Sequence, residues 1–401
     1  MQVKLNHTLL AALLAGLTML GPFSIDTYLP AFPAIQASLD ASALEVQQTL
    51  TAYLLAFAVM TLWHGALSDA FGRRNVILVG LVVFAIASFG CAAAHSIPYL
   101  WGFRILQGIS AGAGMVVGRA LIRDLYQGPE AERMLSLATM IFSVAPAIAP
   151  VVGGLVVTYL SWRAIFLLLV LYTVLLWLVC YRYLPESLPV SQRQVFSIDF
   201  LWRSYSRVFR SSEFYMKSSA VGFNFGGLFL YVTSAPAFIT QHLQLGATSF
   251  AWQFVPTVLG IFFGAGFANR LAGRMSIWQQ ANWGYACMAL AVVFNLLFHI
   301  FHAPSLWFSV SPLFLYSLGM AIVQPGATLL VLDLFPEIRG TVASCQSALA
   351  TLMAAAVAGI LAPALDFSVL SLAAGQAGLC GLGACMWYGS RYYARQKLAT
   401  G

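Results

Sequence analysis

Long apolar runs separated by short polar breaks dominate the chain, and their lengths set the first expectation. A helix needs about 20 apolar residues to cross the hydrocarbon core of a bilayer. Runs of that order lie at 8–32, 45–67, 76–94, 98–120, 134–160, 164–183, 218–240, 249–269, 279–301, 304–331, 341–364 and 367–390. Two stretches, 218–269 and 275–332, contain no Asp, Glu, Lys or Arg at all. Each is too long for one helix and is broken by a polar or proline-containing segment, at 241–246 and 299–304, so each reads as a helical hairpin. The pattern predicts an all-α integral membrane protein with twelve transmembrane helices. The first run continues well past residue 20 with no small-x-small cleavage site, so it reads as an uncleaved span rather than a signal peptide.

Composition supports that picture. Of 401 residues 60% are hydrophobic and only 8% charged, against about a quarter charged in an ordinary soluble domain. So few charges cannot cover a water-facing surface, and disorder and coiled coil are excluded by the same figures. The net charge of +7 would suit nucleic acid if it were gathered on one segment. Instead the basic residues fall in clusters between apolar runs, which is a topology signal, and no nucleic-acid partner is expected. Lys4 precedes the first span. Arg73 and Arg74 follow the second; Arg123 and Arg133 the fourth; Arg182, Arg193, Arg203, Arg207, Arg210 and Lys217 the sixth. Arg270 and Arg274, then Arg339, then Arg391, Arg395 and Lys397 follow spans eight, ten and twelve. The opposite loops hold only Arg163 and the acids Asp40, Glu45 and Asp366. Both termini are therefore expected on the cytoplasmic side of a cell inner membrane. The six cysteines lie within apolar runs without CxxC spacing, which predicts neither disulfides nor zinc.

The halves echo each other. Gly65-Ala-Leu-Ser-Asp69-Ala-Phe-Gly72-Arg73 and Gly266-Phe-Ala-Asn-Arg270-Leu-Ala-Gly273-Arg274 share one pattern at an offset of 201. Pro30-Ala-Phe32 recurs as Pro236-Ala-Phe238, and Asp124-Leu-Tyr126 as Asp333-Leu-Phe335. Since six is even, the halves share one orientation and form parallel repeats, an arrangement that places a substrate cavity between them. The expected organisation is an N-terminal six-helix half (1–183), a cytoplasmic linker (184–217) and a C-terminal six-helix half (218–401). In the linker Ile198, Leu201, Trp202, Tyr205, Val208 and Phe209 follow helical spacing among arginines. That suits an interfacial amphipathic helix; a solvated tether is the competing interpretation.

Several segments carry a resemblance. The Gly65–Arg74 segment resembles the loop-2/3 signature GxLxDrxGrr of the major facilitator superfamily. Arg104-Ile-Leu-Gln107-Gly108 is similar to that superfamily's fourth-helix RxxQG motif. Ala149-Pro150-Val-Val-Gly153-Gly154 is similar to its antiporter motif GPxxGG, with Ala149 in place of the first glycine. Ile25-Asp26-Thr27-Tyr28-Leu29-Pro30-Ala31-Phe-Pro33 resembles the IDxYLPAxP segment of Bcr/CflA-type, or bicyclomycin/chloramphenicol-resistance, drug:proton antiporters. The resemblance implies a major facilitator fold around a central cavity and proton-coupled efflux of drugs. It also implies that Gly65, Asp69, Gly72 and Arg73, with Arg74 beside them, form a conformational latch on the cytoplasmic side. Pro146, Pro150, Gly153 and Gly154 would form the bendable antiporter segment.

Asp26 is the acid well inside a predicted span, where insertion costs about 2.5 to 3.5 kcal/mol. It should therefore face a cavity or a partner, and it is the candidate proton carrier; an interfacial acid just outside the hydrocarbon is the alternative. Arg104 is the candidate counter-charge for proton coupling. It is either a direct partner of Asp26 or a structural arginine bonded to backbone and Gln107. Tyr28, Tyr53, Gln107, Asn224, Tyr231, Gln253, Gln324 and Gln346 are polar groups within spans that suit a cavity for amphiphilic molecules, although each could equally bond another helix. His299 and His302, three apart at an outer loop, do not make a metal site.

No GxxxxGK[ST] loop is present, so ATP does not drive the chain directly. A proton gradient can, because a charge crossing 100 mV is worth about 2.3 kcal/mol. No cofactor or metal is expected, and scattered single polar residues do not build an enzyme site. The expectation is a monomeric drug:H+ antiporter in the lipid bilayer, exchanging protons for small amphiphilic molecules by alternating access. The alternative is a proton-coupled or facilitative carrier of a metabolite such as a sugar, nucleoside or amino-acid derivative.

Overall fold

A computed structural model describes residues 7–126 and 128–400; Lys4 lies outside the described residues, as do the side chains of Arg133, Arg395 and Lys397. Among the described residues the chain is helical, with no strand. The first unit contains α1 (His7–Asp26), α2 (Phe32–Leu39), α3 (Ala43–Phe71), α4 (Arg73–Ala93), α5 (Ile97–Leu125), α6 (Gly128–Tyr159) and α7 (Trp162–Tyr183). The second contains α8 (Ile198–Phe209), α9 (Ser212–Thr233), α10 (Ala251–Leu271), α11 (Ile277–Phe301), α12 (Leu306–Leu332), α13 (Arg339–Ala356), α14 (Ala362–Leu365) and α15 (Val369–Thr400). Taking α1 with α2 and α13 with α14, and setting the short α8 aside, twelve helical rods stand among the described residues. Ten are long and apolar enough to cross a membrane. The other two are α9 and α6, in which Val144–Tyr159 is apolar.

Local signals start and stop these helices. Ser42 and Glu45 form a reciprocal capping box at the start of α3, and Ser276 with Gln279 does the same for α11. The first rod bends after Asp26, where a short 3-10 turn at Leu29–Ala31 carries Pro30 before α2 resumes the rise. The corresponding break in the second unit is a π-turn at Ala237–His242.

Each unit packs its helices in the same order. In the first, α1 lies against α5 and α6, α3 against α5, and α4 against α5 and α7. In the second, α9 lies against α12 and α13, α10 against α12, and α11 against α12 and α15. Backbone conformation repeats as well. Among the described residues the positive-φ positions are Asp40 (48°), Gly72 (95°), Gln244 (54°) and Gly273 (76°), two pairs at equivalent places in the two units. Such conformations are costly for most side chains, so their recurrence reflects one shared chain path.

The core is apolar, but large apolar side chains also cover the surface. Val79, Ile86, Phe89, Leu171, Phe262 and Leu290 stand exposed, whereas Arg104, Gln107, Asn295 and Gln376 are fully buried. Lipid covers the first set, and the second must find hydrogen-bond partners inside each unit.

The chain divides between residues 198 and 199. Residues 184–197 stay with the first unit, and α8 belongs to the second, where Val208 is buried while Ile198 and Trp202 remain exposed. The seventh rod starts at Ser212 rather than 218. Ser211 caps it, and Lys217, expected in the linker, is buried on α9 with its Nζ 2.9 Å from Glu213.

Candidate functional site

The first unit is organised around Arg104. Its Nη1 donates to the Gln107 Oε1 (2.6 Å), one turn along α5, and to the Ser24 backbone oxygen of α1 (3.2 Å). Its guanidinium carbon lies 4.4 Å from the Tyr28 ring centroid and 4.6 Å from that of Tyr53, so the cation is held between two aromatic faces. Gln107 in turn donates to Ser88 Oγ on α4 (2.8 Å). The rings are fixed by their own hydroxyls: Tyr28 pairs with Thr49 (2.7 Å), and Tyr53 accepts from Ser24 Oγ (3.0 Å). An exposed arginine would gain little from such contacts; in a water-free interior they offset its desolvation. Two of its nitrogens, Nε and Nη2, have no hydrogen-bond partner among the described residues.

Asp26 ends α1 beside this cluster. It is 5% exposed, and Tyr53 stands within electrostatic reach of both Asp26 and Arg104. No ion pair joins Asp26 to Arg104 among the described residues. Arg104 thus adopts the arrangement of a backbone- and Gln107-bonded arginine. The residue after Asp26 is pinned by the proline- and glycine-rich segment of α6: Gly153 packs directly on the Thr27 backbone, where a Cβ would collide. Gly154 and Pro150 are buried around it, and Pro146 is half-buried.

At the α3–α4 turn the residues of the Gly65–Arg74 segment meet partners far along the chain. Arg73 pairs with Asp69 (2.5 Å), with Asp124 at the end of α5 (3.0 Å) and with Ser68 Oγ (2.6 Å). Its backbone N–H donates to Glu186 Oε1 (3.0 Å), and Arg193 closes on the same carboxylate (3.5 Å). Gly72 is needed here twice, because its φ is 95° and a Cβ would run into Glu186 and Arg193. Gln194 N–H donates to the Asp69 backbone oxygen (3.1 Å), so residues 184–194 strap the turn. Arg74 reaches the Tyr181 carbonyl (2.6 Å), and Gly65 faces open space. Sequence spacing points to Asp69 and Arg73 but not to Glu186 and Arg193; the charged segment after α7 is the only signal the sequence offers for them.

The second unit replaces charge with neutral hydrogen bonding. Asn224 donates to Tyr285 (2.9 Å), Asn295 to the Tyr231 hydroxyl (2.9 Å), and Gln253 to the Tyr231 backbone oxygen (2.6 Å). Tyr316 donates to the Asn224 backbone oxygen (2.9 Å). Of the predicted cavity groups, Asn224, Tyr231 and Gln253 are therefore tied into helix-to-helix bonds. Gln346 lies 3.4 Å from Thr328 Oγ1, and Gln324 is exposed. Asn295, Tyr285 and Gln376 were not anticipated; their polarity within apolar runs was the available signal. His299 is buried and bridges Asn295 O and Ser309 Oγ, each at 2.8 Å. No metal-holding cluster occurs among the described residues.

Two six-helix repeats with polar clusters locked inside an apolar shell define a multi-pass membrane carrier of small molecules. Residues 14–363 match the family model described as Major Facilitator Superfamily, and the chain belongs to that superfamily, in its Bcr/CflA-type branch. It is 32% identical over 356 residues to a Bacillus subtilis protein described as the uncharacterized MFS-type transporter YdgK, spanning 88% of this chain and 87% of that one. It is 30% identical to multidrug resistance protein D of Escherichia coli over 83% of each chain. Its fold is like that of a bacterial homolog of the lysosomal transporter Spinster, in an inward-facing unoccupied conformation. The TM-score there is 0.73 at 14% identity, covering 98% of both chains.

Proposed function

We infer that the chain is a proton-coupled exporter of amphiphilic drugs, working as a monomer by alternating access in the cell inner membrane with both termini cytoplasmic. The observation that carries this is Asp26, a carboxyl buried at the end of α1, two residues before Tyr28, whose ring meets Arg104. A buried acid can take up and release a proton as its surroundings change, and drug can compete for the same site. Asp26 is the proton carrier in this scheme. Arg104 positions the rings and the end of α1 around it, and Tyr28, Tyr53 and Gln107 hold Arg104. Asn224, Tyr231, Gln253, Gln324 and Gln346 supply polar contacts from the C-terminal half, residues 218–401. The latch of Gly65, Asp69, Gly72, Arg73 and Arg74 stabilises one access state, and the bendable α6 segment of Pro146, Pro150, Gly153 and Gly154 couples its motion to Asp26. The relative named multidrug resistance protein D supports a drug cargo.

The test is chloramphenicol transport in inverted vesicles, comparing parent and Asp26→Asn. Proton-driven uptake should disappear in the variant. Normal exchange in Asp26→Asn removes Asp26 as carrier, and a parent that ignores drugs but carries a sugar or nucleoside would make the cargo a metabolite.

A further inference from the structure

Helix α8 is anchored to the second unit along one face. Leu201, Ser204, Tyr205 and Val208 recur at helical spacing on that face, and Val208 is fully buried. Arg207 pairs with Glu337 (2.5 Å) and lies over the Phe335 ring (5.5 Å). Both partners belong to the turn between α12 and α13, two helices long and apolar enough to cross a membrane. Phe209 packs edge-on against Phe214 (5.7 Å) and meets Tyr215 (6.0 Å) in the first turn of α9. These contacts fix α8 at the level where membrane helices end.

The free half of α8 is itself two-sided. Ile198, Trp202 and Phe209 fall on one stripe, and Trp202 is 72% exposed. Arg203, and Arg210 just past the end of α8, flank that stripe; both are exposed, and neither makes an ion pair among the described residues. Asp199, the one acid on α8, sits in its first turn, where the helix dipole favours it. A stable protein partner takes about 20–30 residues on each side, far more than this stripe offers. A bilayer surface asks for less. An indole and a branched side chain enter the boundary between headgroups and acyl chains, and guanidinium groups reach the phosphates.

We propose that α8 is a binding site for anionic phospholipid at the membrane surface. Trp202 and Ile198 enter the headgroup–acyl boundary, and Arg203 and Arg210 meet lipid phosphates. Anionic headgroups fit better than zwitterionic ones, whose own cation would face the same arginines. Through Arg207 and Phe209 the bound lipid holds the α12–α13 turn and the start of α9 to the bilayer surface. This site depends on neither the cargo nor the proton carrier.

The test places the full chain in phosphatidylcholine nanodiscs with a trace of diazirine-bearing phosphatidylglycerol and locates the photolabel by mass spectrometry. Label should fall on residues 198–210, and unlabelled phosphatidylglycerol should compete more strongly than added phosphatidylcholine. Arg203→Gln with Arg210→Gln should lower the labelling about tenfold, and Trp202→Ser should lower it as well. All three side chains are exposed, so α8 keeps its anchors at Val208 and Arg207; unchanged hydrogen exchange of 198–210 in detergent checks this. Asp26→Asn should label like the parent while losing transport, which separates this site from the proton-coupling reading. No label on 198–210, equal competition by the two lipids, or labelling undiminished in the arginine pair would each overturn the proposal. Protection of 198–210 that grows with protein concentration in lipid-free detergent would assign the stripe to a second copy of the chain and overturn it too.

Discussion

Arg104 and Tyr53, on different helices, meet face to guanidinium with 4.6 Å between the ring centroid and the central carbon. Tyr28 closes the other side at 4.4 Å, so the cation is stabilised by two rings and two hydrogen bonds rather than by a carboxylate.

A lysine at that position would keep the charge and lose the planar group that reaches Gln107, Ser24 and both rings together. Arg104→Lys is expected to destabilise the folded chain by about 2–4 kcal/mol and to abolish chloramphenicol efflux. Tyr53→Phe keeps the ring and removes only the hydroxyl that accepts from Ser24, a loss of about 1 kcal/mol, and should retain most transport. Thermal unfolding in detergent alongside vesicle transport checks both. Equal loss in the two variants would shift the weight from the ring to the hydroxyl.

Gly72 and Gly65 belong to one motif but meet different surroundings. At Gly72 an added Cβ meets Glu186 and Arg193 on a backbone already at φ 95°, so Gly72→Ala should cost about 1–3 kcal/mol and loosen residues 184–194. Gly65 is helical and open, so Gly65→Ala should be neutral or stabilising by about 0.5–1 kcal/mol. Melting temperature and protease sensitivity of the segment after α7 measure the contrast. A transport defect in Gly65→Ala without a stability defect would show that Gly65 acts during the conformational cycle.

Asp366 lies in the turn between α14 and α15, outside the spans. Burial pushes its carboxyl above the ordinary value of 3.8, and His242, whose Nε2 is 2.6 Å from the Asp366 carbonyl, offsets part of that. A raised carboxyl penalises the folded state only when ionised. The penalty is therefore absent below 3.8 and complete above the raised folded value, so stability falls as pH climbs through that window. Asp366→Asn should melt higher than the parent at neutral pH, with the gap closing in acid. Melting curves across the acid range give the answer.

By itself the sequence determined that this chain lives in lipid and that it holds two related sets of helices. Those properties follow from run length, charge scarcity and short repeated signatures, which are local and readable along one dimension. Gly72 and Gly273 illustrate this: the shared pattern marked them, and both adopt the positive φ it requires. What only the tertiary structure decided is which polar group satisfies which. Arg104 was equally suited to Asp26 or to Gln107 and backbone, and its helix packing against α1 and α3 supplied Ser24 and two tyrosine rings. Arg73 found Asp124 and Glu186, and Tyr231 found Asn295. In a bilayer every buried polar atom must be answered from another helix, since lipid offers no hydrogen bonds. The partner is set by how helices pack in space, and that information is absent from the spacing of residues along the chain.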